Sequence, residues 1–235
     1  MTTTTQRQTP RRIAIIGGTG AQGKGLGARF AAAGHTVTLG SRDADRAAAT
    51  ATELTEVVRA AAPDAGAITG ARNEDAVRDA DVIVVATPWD DSPTSVAWLA
   101  PYAEGKVVVS CVNPLGFDKQ GPYGLAVAAG SAAEHIAAQL PGALVAGAFH
   151  HVAAPKLVRF DTPLRDDVLV ASDDPTALEI TCALAASVAG RPGINAGRLR
   201  MCRHLEPMTA TLISINKAYR THSGITISNV ELTAE

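Results

Sequence analysis

Three glycines near the start of the chain have the spacing of a loop that binds phosphate groups. Gly18, Gly20 and Gly23 form a Gly-x-Gly-x-x-Gly pattern. In such a loop the first glycine permits a tight turn, the second lets the backbone approach a pyrophosphate, and the third lets a helix pack against a strand. The free N–H groups at the start of that helix complete an anion site. We expect this loop to bind a dinucleotide.

A second group of residues, Gly40-Ser41-Arg42, forms the corner at the end of the second predicted strand. In an NAD site this corner carries an Asp or Glu that binds the ribose 2′-hydroxyl. No carboxylate occupies this corner. Ser41 can donate one hydrogen bond to a 2′-phosphate and Arg42 two, and Arg46 adds positive charge one helical turn further. The corner therefore predicts NADP rather than NAD. A compatible alternative is that Ser41 caps the next helix and Arg42 is solvated.

The elements that must position these residues alternate between strand and helix. Arg12–Gly17 (RIAIIG) is apolar at nearly every position, which is typical of a central parallel strand, and Lys24–Ala33 has helical spacing. Further strands are predicted at Thr36–Leu39, Ala67–Thr69, Asp81–Thr87, Lys106–Ser110, Ala143–Ala148 and Asp167–Ala171. Further helices are predicted at Ala44–Arg59, from Asn73, at Ser92–Leu99, Ser131–Leu140, Pro175–Ala189 and Arg198–Tyr219. Val112–Gly130 reads as a long loop.

This alternation predicts an α/β fold, a Rossmann-type doubly wound parallel sheet with a small, mainly helical C-terminal domain. We interpret residues 1–10 as a flexible tail, 11–154 as the dinucleotide-binding domain and 155–235 as the smaller domain, with the boundary near Pro155. The carboxyl ends of the strands form the ligand cleft in such a fold.

Composition excludes several other classes of protein. The 46% hydrophobic and 19% charged residues indicate a globular chain, and a net charge of −2 offers no field for nucleic acid or an anionic membrane. Cys111, Cys182 and Cys202 are widely spaced and form no Cys-x-x-Cys pair, which argues against a disulfide framework or a zinc site and suits a reducing cytoplasm. No apolar run is long enough to span a membrane.

The run IAIIGGTGAQGKGLG…GHTVTLGSR, with Thr87-Pro88-Trp89 after the fourth strand, resembles the NADPH-dependent reductases of coenzyme F420, also called F420:NADP oxidoreductases. The resemblance is densest over Ile13–Arg42 and continues more thinly to the His150 region. It implies a homodimeric enzyme that moves a hydride between C4 of the nicotinamide and C5 of the deazaflavin ring. NADP(H) would be the cofactor and coenzyme F420 the co-substrate.

The resemblance also implies a set of binding residues. Ile225 would contact the deazaflavin in a cleft that faces the C-terminal domain. Contacts to NADP would fall on Thr19, Gly20, Ala21, Gln22, Ser41, Arg42 and Arg46, and near Thr87, Asp91, Asn113 and Ala154. Pro88 would fix the backbone at the carboxyl end of the fourth predicted strand. An equally good alternative is that Pro88 only ends this strand.

Hydride transfer between two carbon atoms needs no protein nucleophile, because the protein supplies proximity and excludes water. We therefore expect no firm catalytic residue and no metal. His150 and His151 follow the sixth predicted strand at the cleft edge, and either could hydrogen-bond a cofactor or be structural.

Two other functions remain open from the residues alone. NADP-dependent reductases of small imine or keto substrates begin with a similar domain, but they usually carry a long helical second domain. A non-catalytic NADP(H)-sensing protein would bind the cofactor without passing its hydride to any acceptor.

Overall fold

The computed structural model describes residues 9–92 and 95–230, so the first eight residues of the predicted tail lie outside the described part of the chain. Eight strands form one sheet: β1 Arg12–Ile16, β2 Thr36–Ser41, β3 Ile68–Arg72, β4 Val82–Val85, β5 Val107–Ser110, β8 Leu144–Gly147, β9 Leu169–Ser172 and β10 Ile194–Asn195. Their order in the sheet is β10-β9-β8-β5-β4-β1-β2-β3. A separate pair consists of β6 Leu115–Asp118 and β7 Gly121–Gly124.

The helices flank this sheet. They are α1 Ala21–Ala32, α2 Ala44–Ala61, α3 Asn73–Arg78, α4 Ala100–Ala103, α5 Ala132–Gln139, α6 Ala154–Leu157, α7 Pro175–Ala189 and α8 Cys202–Tyr219. Short 3₁₀ turns at Ala97–Leu99 and Leu199–Met201 precede α4 and α8.

The strands are apolar on both faces because helices cover both faces of the sheet. Successive residues point to opposite sides of a strand, so Ile13 and Ile15 of β1 enter one core cluster with Phe30 of α1. Ala14 and Ile16 enter a second cluster with Val77 of α3 and Ile136 of α5. The doubly wound α/β fold is therefore confirmed.

The direction of winding changes between β1 and β4, which are hydrogen-bonded neighbours. The chain runs outward from β1 through β2 to β3 and then returns to β4 on the other side of β1. Parallel pairing from β3 through to β8 brings the carboxyl ends of these strands to one edge. The crevice outside a switch point of this kind is where such sheets bind ligands.

The sheet continues beyond residue 154. Strand β9 pairs antiparallel with β8, β10 pairs parallel with β9, and α7 packs against β5, β8 and β9. The C-terminal segment thus adds strands to the same sheet as well as helices. The division into two domains at residue 154 stays a prediction.

Two local predictions were wrong. Residues 112–130 contain the β6–β7 hairpin, whose turn is closed where Asp118 Oδ1 accepts the N–H groups of Gln120 and Gly121. Such side-chain closure of a turn leaves no alternating apolar pattern in the sequence. Instead of one helix over Ser92–Leu99, the described residues form a 3₁₀ turn and then α4, which starts with Pro101 in its first turn; residues 93 and 94 lie outside the description.

Candidate dinucleotide-binding site

The glycine loop joins β1 to α1 at the switch point, and each glycine has a different steric role. Gly17 has φ +76°, and a Cβ there would lie 2.7 Å from the carbonyl oxygen of Ala86 at the end of β4. A Cβ on Gly18 would lie 2.8 Å from Cα of Leu39 in β2. The left-handed turn therefore falls on Gly17, which the sequence analysis had not singled out, and Gly18 permits close strand packing instead.

Gly23 and Gly20 have different roles, because the first permits close packing and the second lies beside open space. A Cβ on Gly23 would lie 2.6 Å from the Gly17 carbonyl oxygen, so this glycine lets α1 pack on the loop as predicted. A Cβ on Gly20 would meet the Gly17 oxygen at 3.3 Å and, apart from its chain neighbours, no other atom of the described residues within 4 Å. Gly20 thus borders open space at the mouth of the loop.

The first turn of α1 is suited to an anion. Gly20 is the N-cap and supplies no capping side chain, the first turn has no acidic residue, and the Gly20 carbonyl accepts its first helical bond from the Lys24 N–H. The N–H groups of Ala21, Gln22 and Gly23 precede that bond and carry the positive end of the helix dipole. The loop therefore fits the phosphates of a dinucleotide.

Gln22 has a further structural contact. Its Nε2 donates to the carbonyl oxygen of Phe149 at 3.2 Å, which ties the start of α1 to the segment after β8. Thr19 is half-buried, whereas Ala21 is exposed beside the loop.

In the corner after β2, the helix cap falls on Asp43 and not on Ser41. Ser41 is the last residue of β2, and its Oγ accepts the N–H of Asp43 at 3.2 Å. The α2 N-cap is Asp43 itself, whose Oδ1 accepts the N–H of Arg46 at 3.0 Å. Arg42 and Arg46 are both exposed. Two guanidinium groups and a helix start are therefore available to a 2′-phosphate.

The other predicted contacts follow neighbouring strands along the same edge. Thr87 and Pro88 follow β4 with exposed Asp91 beyond them, Asn113 follows β5, and Ala154 begins α6. Ile225, far away in sequence, reaches this edge because its carbonyl oxygen accepts the N–H of Asp167 just before β9.

Asn113 and His150 form a two-point contact. Asn113 Nδ2 donates to the His150 carbonyl at 2.9 Å, and His150 Nδ1 lies 3.2 Å from Asn113 Oδ1. The first bond fixes the orientation of the amide, so Oδ1 accepts the proton on His150 Nδ1. Thr209 of α8 donates to the same His150 carbonyl at 2.8 Å, which joins three parts of the chain.

Both histidines are enclosed. His150 is 3% exposed and His151 2%. The pKa of His150 is lowered to about 3, mainly by burial and to a smaller extent by electrostatic repulsion from His151. A backbone hydrogen bond with Val112 acts in the opposite direction. Burial also lowers the pKa of His151, whose Nε2 lies 2.7 Å from the Asp167 carbonyl oxygen. Both rings are thus kept neutral and away from solvent.

Two residues beside His150 were missed by the sequence analysis. Cys202 and Glu206 of α8 are fully buried, and their ligand atoms lie within 4.8 Å of each other and of His150. Glu206 accepts the N–H groups of Ala132 and Ala133 at the start of α5, and burial raises its pKa to about 7. Their i, i+4 spacing on one helix face was the available signal.

The doubly wound sheet and the glycine loop at its switch point define the class of Rossmann-type proteins. The family model described as NADP oxidoreductase coenzyme F420-dependent matches residues 12–114. The F420-dependent NADP reductase of Methanothermobacter thermautotrophicus is 37% identical over an alignment of 225 residues that covers 93% of this chain and 95% of that protein. The protein of the same name from Methanocaldococcus jannaschii is 33% identical over 94% of this chain and 100% of its own length. The chain belongs to the F420-dependent NADP reductase family.

Solved structures agree with this assignment. A crystal structure from Arthrobacter sp. FB24, provisionally assigned as an F420-dependent NADP reductase, has a TM-score of 0.75 at 25% identity over 93% of this chain and 100% of that one. A reductive aminase from Aspergillus terreus in complex with NADPH is similar in fold alone, with a TM-score of 0.56 at 18% identity, and 63% of its chain is covered. The described residues contain no helix long and apolar enough to cross a membrane.

Proposed function

We propose that the protein transfers a hydride between NADP(H) and the deazaflavin coenzyme F420. The observation that carries this proposal is the 37% identity over 93% of the chain to an F420-dependent NADP reductase. When bound, the two coenzymes supply the hydride chemistry between their own carbon atoms. The protein's contribution is to hold the two rings together and to keep water away from them.

We propose that the loop from Gly18 to Gly23 binds the pyrophosphate and that Ser41, Arg42 and Arg46 bind the 2′-phosphate. The open space beside Gly20 and the uncapped first turn of α1 support the first assignment. The absence of a carboxylate at the end of β2 supports the second, because an acid there would repel a phosphate. The nicotinamide half would then reach Thr87, Pro88, Asp91, Asn113 and Ala154 at the ends of β4, β5 and β8.

The second coenzyme would occupy the same edge near Ile225. Two bonds support this assignment, since the Asp167 N–H donates to the Ile225 carbonyl and the Ile227 N–H donates to Asp167 Oδ2, each at 2.7 Å. They hold the segment after α8 beside the cleft. Because His150 and His151 are enclosed, we propose that they position the loop after β8 and do not touch either ring.

We also propose that the protein acts as a homodimer in the cytoplasm. The resemblance to the family suggests the dimer, and three unpaired cysteines in the described chain suit a reducing compartment. Light scattering coupled to size-exclusion chromatography tests the dimer. A particle of about twice the 24.1 kDa chain mass is expected, and a monomeric mass contradicts the assignment.

The experiment that tests the function mixes the purified protein with NADPH and oxidised F420 and follows the deazaflavin absorbance. Rapid bleaching with NADPH, and little with NADH, is the expected result. Tight NADPH binding without bleaching would remove the deazaflavin assignment. It would leave an imine or keto reductase, or a non-catalytic NADP(H)-sensing protein, to be separated by offering such substrates.

A further inference from the structure

Three buried side chains beside the proposed NADP site have the composition of a metal centre. They are His150, Cys202 and Glu206, and their ligand atoms all lie within 4.8 Å of one another. We propose that His150 Nε2, Cys202 Sγ and the Glu206 carboxylate bind a divalent transition-metal ion, with Zn²⁺ as the best match to this donor set. Nothing in the hydride transfer proposed above requires such an ion, so the site is an addition to that function.

The first argument concerns the free nitrogen of His150. Asn113 holds the proton on Nδ1, which leaves Nε2 with a lone pair in the neutral ring. This Nε2 is buried and has no hydrogen-bond partner among the described residues. An unsatisfied buried acceptor destabilises the folded state, so a native protein rarely keeps one without a reason. The Asn113 contact is also the kind of outer bond that fixes a metal-binding histidine.

The second argument concerns charge. Cys202 is 0% exposed and Glu206 is 1% exposed, and one turn of α8 brings them to the same face. A thiolate and a carboxylate carry two negative charges together, which balance a divalent cation and leave the buried site neutral. Glu206 uses one lone pair on each oxygen for the N–H groups of Ala132 and Ala133, so further lone pairs remain for an ion.

The third argument concerns space and position. Gly147, the last residue of β8, lies beside the cluster, and its missing side chain leaves room next to two of the proposed ligand atoms. A Cβ at this position would meet Cys202 Sγ and lie 3.1 Å from His150 Nε2. The ion would join the segment after β8 to α8, and through Glu206 to the start of α5. These elements come from distant parts of the chain, so binding would stabilise their packing.

Zn²⁺ is favoured because sulfur, imidazole and carboxylate ligands together suit it, whereas Mg²⁺ and Ca²⁺ take oxygen ligands. Three protein ligands leave a fourth tetrahedral position for water or another small ligand. Binding removes the thiol proton from Cys202 and releases it to solvent, and no oxidation is involved.

The test is metal binding by the full chain. The purified protein is freed of metal with a chelator and titrated with Zn²⁺, and Co²⁺ is used as a spectroscopic probe for a bond to sulfur. We expect about one ion per chain and a Co²⁺–thiolate absorption band. We also expect Zn²⁺ to raise the unfolding temperature. A chain that binds no ion under these conditions overturns the proposal.

Matched variants locate the site. Cys202→Ala should lose the Co²⁺–thiolate band and the Zn²⁺-dependent rise in unfolding temperature, whereas Cys182→Ala, which removes a thiol from α7, should retain both. Asn113→Ala should weaken Zn²⁺ binding by about 10- to 100-fold, as the loss of an outer bond does. If Cys202→Ala binds Zn²⁺ as the unaltered chain does, the ion lies elsewhere and the assignment is wrong. These readouts do not depend on hydride transfer, so the proposed function can fail independently.

Discussion

Arg42 and Arg46 lie exposed beside the corner after β2, where Ser41 and the start of α2 also present hydrogen-bond donors. An exposed guanidinium that binds no ligand contributes little to stability. Its value at this corner lies in the two parallel hydrogen bonds that it can give to one phosphate. In the proposed site, the choice between two nearly identical cofactors would thus depend on a few surface atoms.

Arg42→Ala should weaken NADPH binding by about 10- to 100-fold, the value of a hydrogen bond to a charged group, and leave NADH binding within about twofold. Only NADPH carries the 2′-phosphate that Arg42 would bind. Fluorescence titration of both cofactors measures the effect. Arg59→Ala, an exposed change near the end of α2, is the control, and equal losses for the two cofactors would exclude Arg42 from the phosphate site.

His35 gives a prediction about pH. The ring is 1% exposed, its Nδ1 accepts the Arg11 N–H at 3.1 Å, and its Nε2 lies 3.1 Å from Ser187 Oγ. Burial, with a smaller contribution from the charge of Arg11, lowers the pKa of His35 below 6.5. The folded chain therefore binds fewer protons here than the unfolded chain. This contribution to stability is complete above about pH 6.5 and is lost as the pH falls toward the lower folded pKa.

Urea unfolding at pH 7, 6 and 5 checks this expectation. His35→Gln should reduce the slope of the unfolding free energy against pH below 6.5 by up to about 1.4 kcal/mol per pH unit. His222→Gln, at an exposed histidine, is the control for the substitution itself. A slope equal to that of the unaltered chain in both variants would contradict the buried, neutral state of His35.

At the scale of elements, the type of loop between β1 and α1 could be predicted from the sequence, but the position of its left-handed turn was predicted wrongly. The spacing of its glycines and the apolar strand before it sufficed for a dinucleotide loop. The assignment of the turn to Gly18 failed, because Gly17 has the left-handed φ of +76° and is the position where Ala86, after β4, leaves no room for a Cβ. Contacts between residues so far apart in sequence leave no local pattern.

A pair of substitutions separates the two roles within that loop. Gly23→Ala should destabilise the fold by about 1–3 kcal/mol, because its Cβ would meet backbone atoms at 2.6 and 2.7 Å. Gly20→Ala should change stability by less than about 1 kcal/mol but weaken NADPH binding, since its Cβ would enter open space at the phosphate site. Thermal unfolding and NADPH titration of both variants measure this contrast. Two variants that lose stability equally would contradict it.

Neither the β6–β7 hairpin nor the surroundings of His150 could be predicted from the sequence, again because their contacts join residues far apart in the chain. The hairpin is short, and Gly124 faces Pro207 of α8, more than 80 residues later. His150 was placed correctly at the end of β8, but its neighbours Cys202 and Glu206 come from α8. Central strands such as Arg12–Ile16 were predictable because burial on both faces requires a continuous apolar run.

At the scale of the whole molecule, the sequence predicted the doubly wound sheet but not how far it extends. The two-residue β10 was not predicted, since Ile194 and Asn195 are too few to show alternation. The antiparallel pairing of β8 with β9 carries the sheet into the C-terminal segment, and the pairing of β10 with Leu169 and Val170 of β9 extends it by one more strand. A boundary drawn from a weakening pattern therefore falls inside a continuous hydrogen-bonded sheet.

This continuity predicts cooperative unfolding. Because α7 contributes Leu184 and Val188 to the core cluster that also contains Ile13 and Ile15, we expect one transition for the whole chain. Differential scanning calorimetry and urea unfolding followed by two optical probes measure it. Coincident curves are expected, and two separate transitions would instead support independent domains divided near residue 154.

The shortness of β10 has one more consequence. An edge strand offers unpaired backbone groups on which a strand from another molecule can align, and long exposed edges promote aggregation. At this end of the sheet the outermost strand has two residues, and Gly197 follows it with φ +99°. The template is too short for a foreign strand to add in register. Growth of the sheet from one molecule to the next is therefore blocked at this edge.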